Sequence, residues 1–325
     1  MLCFSSVVVS PVKVLLTGAS GFIGRALCAR LVAHGVDVVG AGRSVPDTPV
    51  PGVHYRTVGE LGASTDWSET LLGVLAVIHC AARVHVMCEQ AQDPLAEFRR
   101  TNVEGTLSLA RQAASAGVRR FVFLSTVKVN GERGYYNEAD IPAPQDAYGI
   151  SKYEAELGLC AIAAETGMEA VIIRPPLVYG PGVRANFFAL LRAVAWGIPM
   201  PLGAIHNRRS LVALGNLLDL IIICLNHPSA ANQTFLVSDG EDLSTAELIR
   251  RMARALGCPA RLIPVPMTVL MAAATLLGKR EAAERLCGSL QVSITKTQKV
   301  LGWTPLVSVD EGLRRTAEHY LSSKQ

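Results

Sequence analysis

The chain has 325 residues, half of them hydrophobic, and a formal net charge of +4 from 31 Lys and Arg against 27 Asp and Glu. That composition supports a sizeable core and excludes bulk disorder. The interspersed charges contain no basic block of the kind that grips nucleic acid. Eight cysteines are scattered without a Cys-x-x-Cys pair or a His pair at zinc spacing, which reads as reduced thiols in a cytoplasmic protein with no metal site.

Met1–Ser10 is mildly apolar but lacks a basic start and a clean cleavage site, so it does not read as a signal peptide. Val12–Leu16 is an apolar run but for Lys13, the pattern of a strand buried on both faces. A glycine loop and a helix to about Ala33 follow. Val36–Gly40, His54–Val58, Val74–Cys80 and Arg120–Leu124 read as further strands. Pro94–Ala116 reads as one long amphipathic helix, Tyr148–Thr166 as another, and Ala170–Arg174 as a strand between that helix and Pro175. Strands alternating with helices predict an α/β fold with a doubly wound, Rossmann-type parallel sheet.

After Pro175 the rhythm breaks, with helices expected near Ser244–Leu256 and Val309–Tyr320. This divides the chain into a dinucleotide-binding domain over 11–175 and a smaller, mainly substrate-binding lobe over 176–325 that interleaves with the last sheet strands. The longest apolar stretch, Pro264–Gly278, is too short to span a bilayer. It reads as a buried or interfacial helix, with core packing preferred over peripheral membrane contact.

Between the first strand and the first helix lies Thr17-Gly18-Ala19-Ser20-Gly21-Phe22-Ile23-Gly24, with glycines spaced G-x-x-G-x-x-G. Glycines let backbone approach a pyrophosphate, and a helix N-terminus offers free N–H groups and the positive end of its dipole. The loop residues Gly18, Ser20, Gly21, Phe22 and Ile23 are therefore candidates for holding a dinucleotide. An acid at the end of the second strand would bind a ribose 2′-hydroxyl. The run here is Gly40-Ala41-Gly42-Arg43-Ser44, and Arg43 with Ser44 suits a 2′-phosphate instead. NADP(H) is the expected cofactor and NAD(H) the alternative.

Tyr148 and Lys152 stand at i and i+4, on one face of a helix. An ammonium beside a phenol favours the phenolate, which would bring Tyr148 toward proton exchange near neutrality. Thr126, at the carboxyl end of the Arg120–Leu124 strand, lies where doubly wound sheets place ligands.

In this order the motifs resemble those of the extended short-chain dehydrogenase/reductases of the sugar-nucleotide epimerase/dehydratase family. The matching pieces are TGASGFIG (17–24), HCAA (79–82), TNVEGT (101–106), FLSTVKVNG (123–131), YGISK (148–152) and RPPLVYGPG (174–182), and the likeness runs from Val12 to about Tyr320. The resemblance implies that Tyr148 is the acid/base, that Lys152 holds the nicotinamide ribose and tunes Tyr148, and that Thr126 is the catalytic Ser/Thr. It implies that Ala81, Ala82 and Pro175 line the cofactor and that Asn102 supports the site. Ser125, Lys128, Asn186, Arg209 and, more weakly, Arg285 fall where the family contacts its nucleotide-sugar. The helices Pro94–Ala116 and Tyr148–Thr166 resemble those that pair in the family's homodimers.

Departures from the family pattern narrow the reaction. The Asp-Glu pair that dehydratases carry after the catalytic Thr is Val127-Lys128 here, which disfavours water elimination. With Arg43 and no acid at Gly42, the expected activity is reduction of a UDP-4-keto-6-deoxy-N-acetylhexosamine at C4 in surface-polysaccharide synthesis. A UDP-glucose-type 4-epimerase is the alternative and a hydroxysteroid-type dehydrogenase a remoter one.

Overall fold

The structure is a computed structural model that describes residues 12–84, 93–278 and 280–323. The apolar start Met1–Ser10 lies outside the described residues. The described chain falls into two compact units, one of residues up to Phe123 together with Leu157–Ala170, the other of Leu124–Glu156 together with Val171 onward.

In the first unit β1 (Lys13–Thr17), α1 (Phe22–Ala33), β2 (Asp37–Gly42), β3 (Val53–Thr57), β4 (Ala76–His79), α2 (Pro94–Phe98), α3 (Gly105–Ser115) and β5 (Arg120–Leu124) follow one another. The strands pair in parallel in the order β3-β2-β1-β4-β5. Strand order reverses between β1 and β4, the switch point at which such sheets bind ligands. β1, β4 and β5 are apolar over their central positions because helices cover both faces: Leu15, Leu16, Val77, Ile78, Phe121 and Phe123 are fully buried. Each contributes about 2 kcal/mol of burial free energy.

The single helix expected over 94–116 is interrupted. Between α2 and α3 the chain makes a π-helical turn, Arg99–Glu104, that turns Asn102 into the interior. Such a turn widens the helix by a residue, and hydrophobic periodicity does not register it because the buried positions Phe98, Asn102, Thr106 and Leu109 keep three- to four-residue spacing through it.

In the second unit come β6 (Gly134–Tyr136), α4 (Ala147–Thr166, whose last turns belong to the first unit), β7 (Glu169–Arg174), β8 (Leu177–Tyr179), α5 (Ala185–Ala195), β9 (Arg209–Ala213), α6 (Leu214–Asn226), β10 (Gln233–Leu236), β11 (Asp242–Leu243) and α7 (Thr245–Ala255). They are followed by α8 (Met267–Leu276), α9 (Arg280–Cys287), β12 (Leu290–Val292), α10 (Thr295–Leu301) and α11 (Val309–Ser322). β7 and β10 pair in parallel, and a smaller sheet runs β11-β9-β12-β6. Ser244 and Ser308 cap α7 and α11 through their hydroxyls, each accepting the N–H three residues on. A buried Asp239 carboxylate accepts from Tyr179 Oη (2.8 Å), Ala213 N (2.8 Å) and Asn216 Nδ2 (2.7 Å), which fixes the carboxyl ends of β8 and β9.

The apolar stretch 264–278 departs from its expected core packing. It forms α8, but no residue of that helix is buried. Apolar composition says that a segment avoids water, not which neighbour covers it. No described helix is long and apolar enough to cross a membrane.

Candidate active site

The glycine loop of the first unit forms a backbone cradle. Gly18 adopts φ +70°, a conformation that L side chains rarely take, and a Cβ there would lie 2.8 Å from Ala81 N. A Cβ at Gly24 would fall 2.1 Å from Gly18 O, so the loop can fold back on α1 only with glycine at both positions. Gly21 caps α1 without a side-chain hydrogen bond, and no acid sits in the first turn. The leading N–H groups of α1, at Phe22 and Ile23, therefore meet an anion without competition. Ser20 stands exposed at the loop tip, close to Gly42 at the end of β2. Arg43 and Ser44 follow β2 in an exposed bend. The observed cradle fits the pyrophosphate of a dinucleotide.

A buried relay braces this cradle. Thr106 Oγ1 donates to Asn102 O (2.7 Å), so it accepts at His79 Nε2 (2.9 Å). His79 Nδ1 is then the acceptor for the Thr17 hydroxyl (2.7 Å), whose oxygen in turn accepts from Ala81 N (3.3 Å). His79 lies stacked on Phe123. Asn102 pairs through both ends of its amide with the backbone of Arg83 (2.7 and 3.0 Å). The relay thus ties the residue before Gly18 to the segment bearing Ala81 and Ala82. His79 and Thr17 were not singled out from the sequence; a polar pair at the carboxyl ends of two otherwise apolar strands is the signal that marks them.

The catalytic candidates lie together in the second unit. Thr126 is buried and caps the short turn Val127–Val129, its Oγ1 accepting Lys128 N at 3.3 Å. Asp146 caps α4, Oδ1 accepting Gly149 N at 2.7 Å, so Tyr148 falls in the first helical turn, partly exposed, and Lys152 one turn on, fully buried. Desolvation first, and the Asp146 carboxylate second, push the Tyr148 phenol well above its ordinary value. The expected lowering by Lys152 does not prevail in the protein alone: the phenol is neutral and holds its proton.

Two substrate candidates near Thr126 are engaged within the protein. The Ser125 hydroxyl donates to Glu156, which also receives Arg174 through Nε (3.0 Å) and Nη2 (2.5 Å), all three being buried. Arg174 reaches Asn130 Oδ1 as well (3.1 Å). Lys128 pairs with Asp146 and with Glu132 (3.2 Å). Pro175 is buried, its carbonyl accepting Val127 N at 3.0 Å. Glu156 and Arg174 escaped sequence reasoning, although Tyr148, Lys152 and Glu156 share the i, i+4, i+8 spacing of one helix face.

Of the candidate phosphate clamp, Arg209 on β9 is half-buried, donates to Gly288 O at 3.2 Å and has its pKa lowered by desolvation. Asn186 is exposed in the first turn of α5. Arg285 belongs to α9, but its side chain lies outside the described ones.

Residues 14–238 match the model of the NAD dependent epimerase/dehydratase family. The protein belongs to this family. It is thus an enzyme of the nicotinamide-dependent, extended short-chain dehydrogenase/reductase type. A UDP-glucose 4-epimerase of Vibrio cholerae is 45% identical over 318 residues, covering 96% of this chain and 97% of that protein. The solved structure of MoeE5 with UDP-glucuronic acid and NAD is 27% identical, with a TM-score of 0.79 over 96% of this chain and 99% of its own. UDP-glucuronic acid 4-epimerase from Bacillus cereus, in complex with NAD, has the same fold at 21% identity and a TM-score of 0.79, covering 96% and 100% of the two chains. The expected preference for NADP finds no support among these relatives, whose solved complexes hold NAD.

Proposed function

We propose that the protein interconverts UDP-hexoses by epimerisation at C4, with UDP-glucose as the type substrate and NAD as the cofactor. The observation that carries this reading is the 45% identity, over nearly the full length of both chains, to a UDP-glucose 4-epimerase. The local chemistry supports it: a dinucleotide cradle, a Thr-Tyr-Lys set, and no acid pair after Thr126 for elimination.

In this reading a dinucleotide, when bound, would supply the hydride chemistry at C4. The backbone of Gly18–Ile23 and the start of α1 would hold its pyrophosphate. Thr126 orients the C4 oxygen, and Tyr148 removes the proton from that oxygen and gives it back, with Lys152 stabilising the phenolate between the two steps. Arg209, with Asn186 and Arg285, holds the substrate diphosphate.

Purified protein incubated with UDP-glucose and no reductant is expected to form UDP-galactose without net change in nicotinamide absorbance. A second reading, 4-keto reduction, is favoured by Arg43 and the missing acid at the end of β2. Stoichiometric NADPH oxidation by a UDP-4-keto-6-deoxy-N-acetylhexosamine, with no interconversion of UDP-glucose and UDP-galactose, replaces the first reading by the second.

A further inference from the structure

One face of the second unit is apolar, aromatic and free of acids along the segments that build it. The outward stripe of α8 is Val269, Ala272, Ala273 and Leu276, at i, i+3, i+4 and i+7, while Leu270, Met271 and Ala274 on the opposite side are half-buried. Leu276 is 89% exposed, and Leu277 continues the stripe. The segment leading into α8 is bound edge-on to the one leaving α5: Met200 N donates to Arg261 O (2.9 Å), Ile263 N to Met200 O (2.9 Å) and Gly203 N to Ile263 O (3.0 Å). That second segment carries Trp196, 61% exposed, and Ile198, also exposed. The Arg192 guanidinium lies 5.0 Å from the Trp196 ring centroid, and the Arg261 side chain runs beside Gly197.

Neither 170–218 nor 248–280 contains an Asp or Glu. The basic residues of this face thus stand among apolar side chains. Glu284, beyond it on α9, is bound by Arg133 and Arg280.

We propose that this face docks on an anionic lipid surface. An exposed Trp flanked by arginines beside a short uncharged helix is what the boundary between headgroups and acyl chains favours. The ring and the apolar stripe enter the boundary, and Arg192 and Arg261 meet lipid phosphates. A second copy of this chain is disfavoured as the occupant, because a two-fold contact would set the acid-free basic face against itself. The proposal is independent of the reaction, and its readout does not use activity.

The test is co-sedimentation of the full chain with vesicles of phosphatidylglycerol and phosphatidylethanolamine, and separately with phosphatidylcholine vesicles. Pelleting with the anionic vesicles, weakened by salt, is expected, with little on phosphatidylcholine. Arg192→Gln with Arg261→Gln is expected to lower the partition about fivefold per arginine. Leu276→Asp with Leu277→Asp, at exposed positions, is expected to abolish pelleting with melting temperature unchanged. No pelleting of the unaltered protein overturns the proposal, as does pelleting that neither double variant changes. So does a dimer in light scattering that Leu276→Asp with Leu277→Asp converts to monomer without any vesicle binding, which assigns the face to a second copy.

Discussion

Lys128, two residues after Thr126, is ion-paired with Asp146, two residues before Tyr148. The pair joins the turn that Thr126 caps to the N-terminus of the helix that carries Tyr148 and Lys152. It also sets the charge beside the phenol, because Asp146 is the second cause, after desolvation, of the raised Tyr148 pKa.

Asp146→Asn removes that negative charge while retaining a side chain that caps α4. The phenolate then becomes less unfavourable, so the Tyr148 pKa falls. The limb of the pH–rate profile that needs the deprotonated phenol is expected to move to lower pH, read as kcat from neutral to alkaline pH. A limb that stays in place or moves to higher pH removes Asp146 from this role.

Tyr148→Phe deletes the proton carrier and leaves the partly exposed ring in its place. The variant is expected to keep its melting temperature and its affinity for NAD while losing roughly 10²–10⁴-fold in kcat, the usual weight of general acid–base catalysis. Activity near that of the unaltered protein would show that another group moves the proton.

Gly24→Ala forces a Cβ to within 2.1 Å of Gly18 O. The loop must open, so dinucleotide binding, followed by calorimetry, is expected to be lost. Binding of UDP, proposed to rest on Arg209, is expected to persist. Retained NAD affinity would mean that the cradle does not hold the pyrophosphate.

Glu156 and Arg174 form a buried pair. Glu156→Gln leaves the guanidinium without its charge partner and is expected to cost about 3–5 kcal/mol in chemical denaturation. Glu156→Leu with Arg174→Met removes both charges and is expected to recover part of that loss. Equal stability of Glu156→Gln and the unaltered protein would show the pair to be dispensable.

Arg43→Ala tests the second strand's end directly. If this arginine meets only solvent, NAD affinity stays within about twofold. A selective loss of NADP affinity would mark it as the 2′-phosphate site.

Much of the first unit was legible in the chain because its information is local. A strand covered on both faces is apolar over its interior positions, so the run Phe121–Leu124 marks β5 after its leading Arg120. A loop folded against its own helix demands glycine at fixed spacing, which marked Gly18, Gly21 and Gly24. The i, i+4 geometry of a helix likewise put Tyr148 and Lys152 on one face before any coordinates. What tertiary structure decided is how polar groups are satisfied and what covers an apolar surface. Ser125 meets Glu156 across 31 positions and His79 meets Thr17 across 62, and no local pattern encodes partners so distant. The π-helical turn at Asn102 left the helical rhythm on either side intact. The apolar stretch 264–278 carries the same residues whether buried or exposed, and only its placement shows that no residue of α8 is buried.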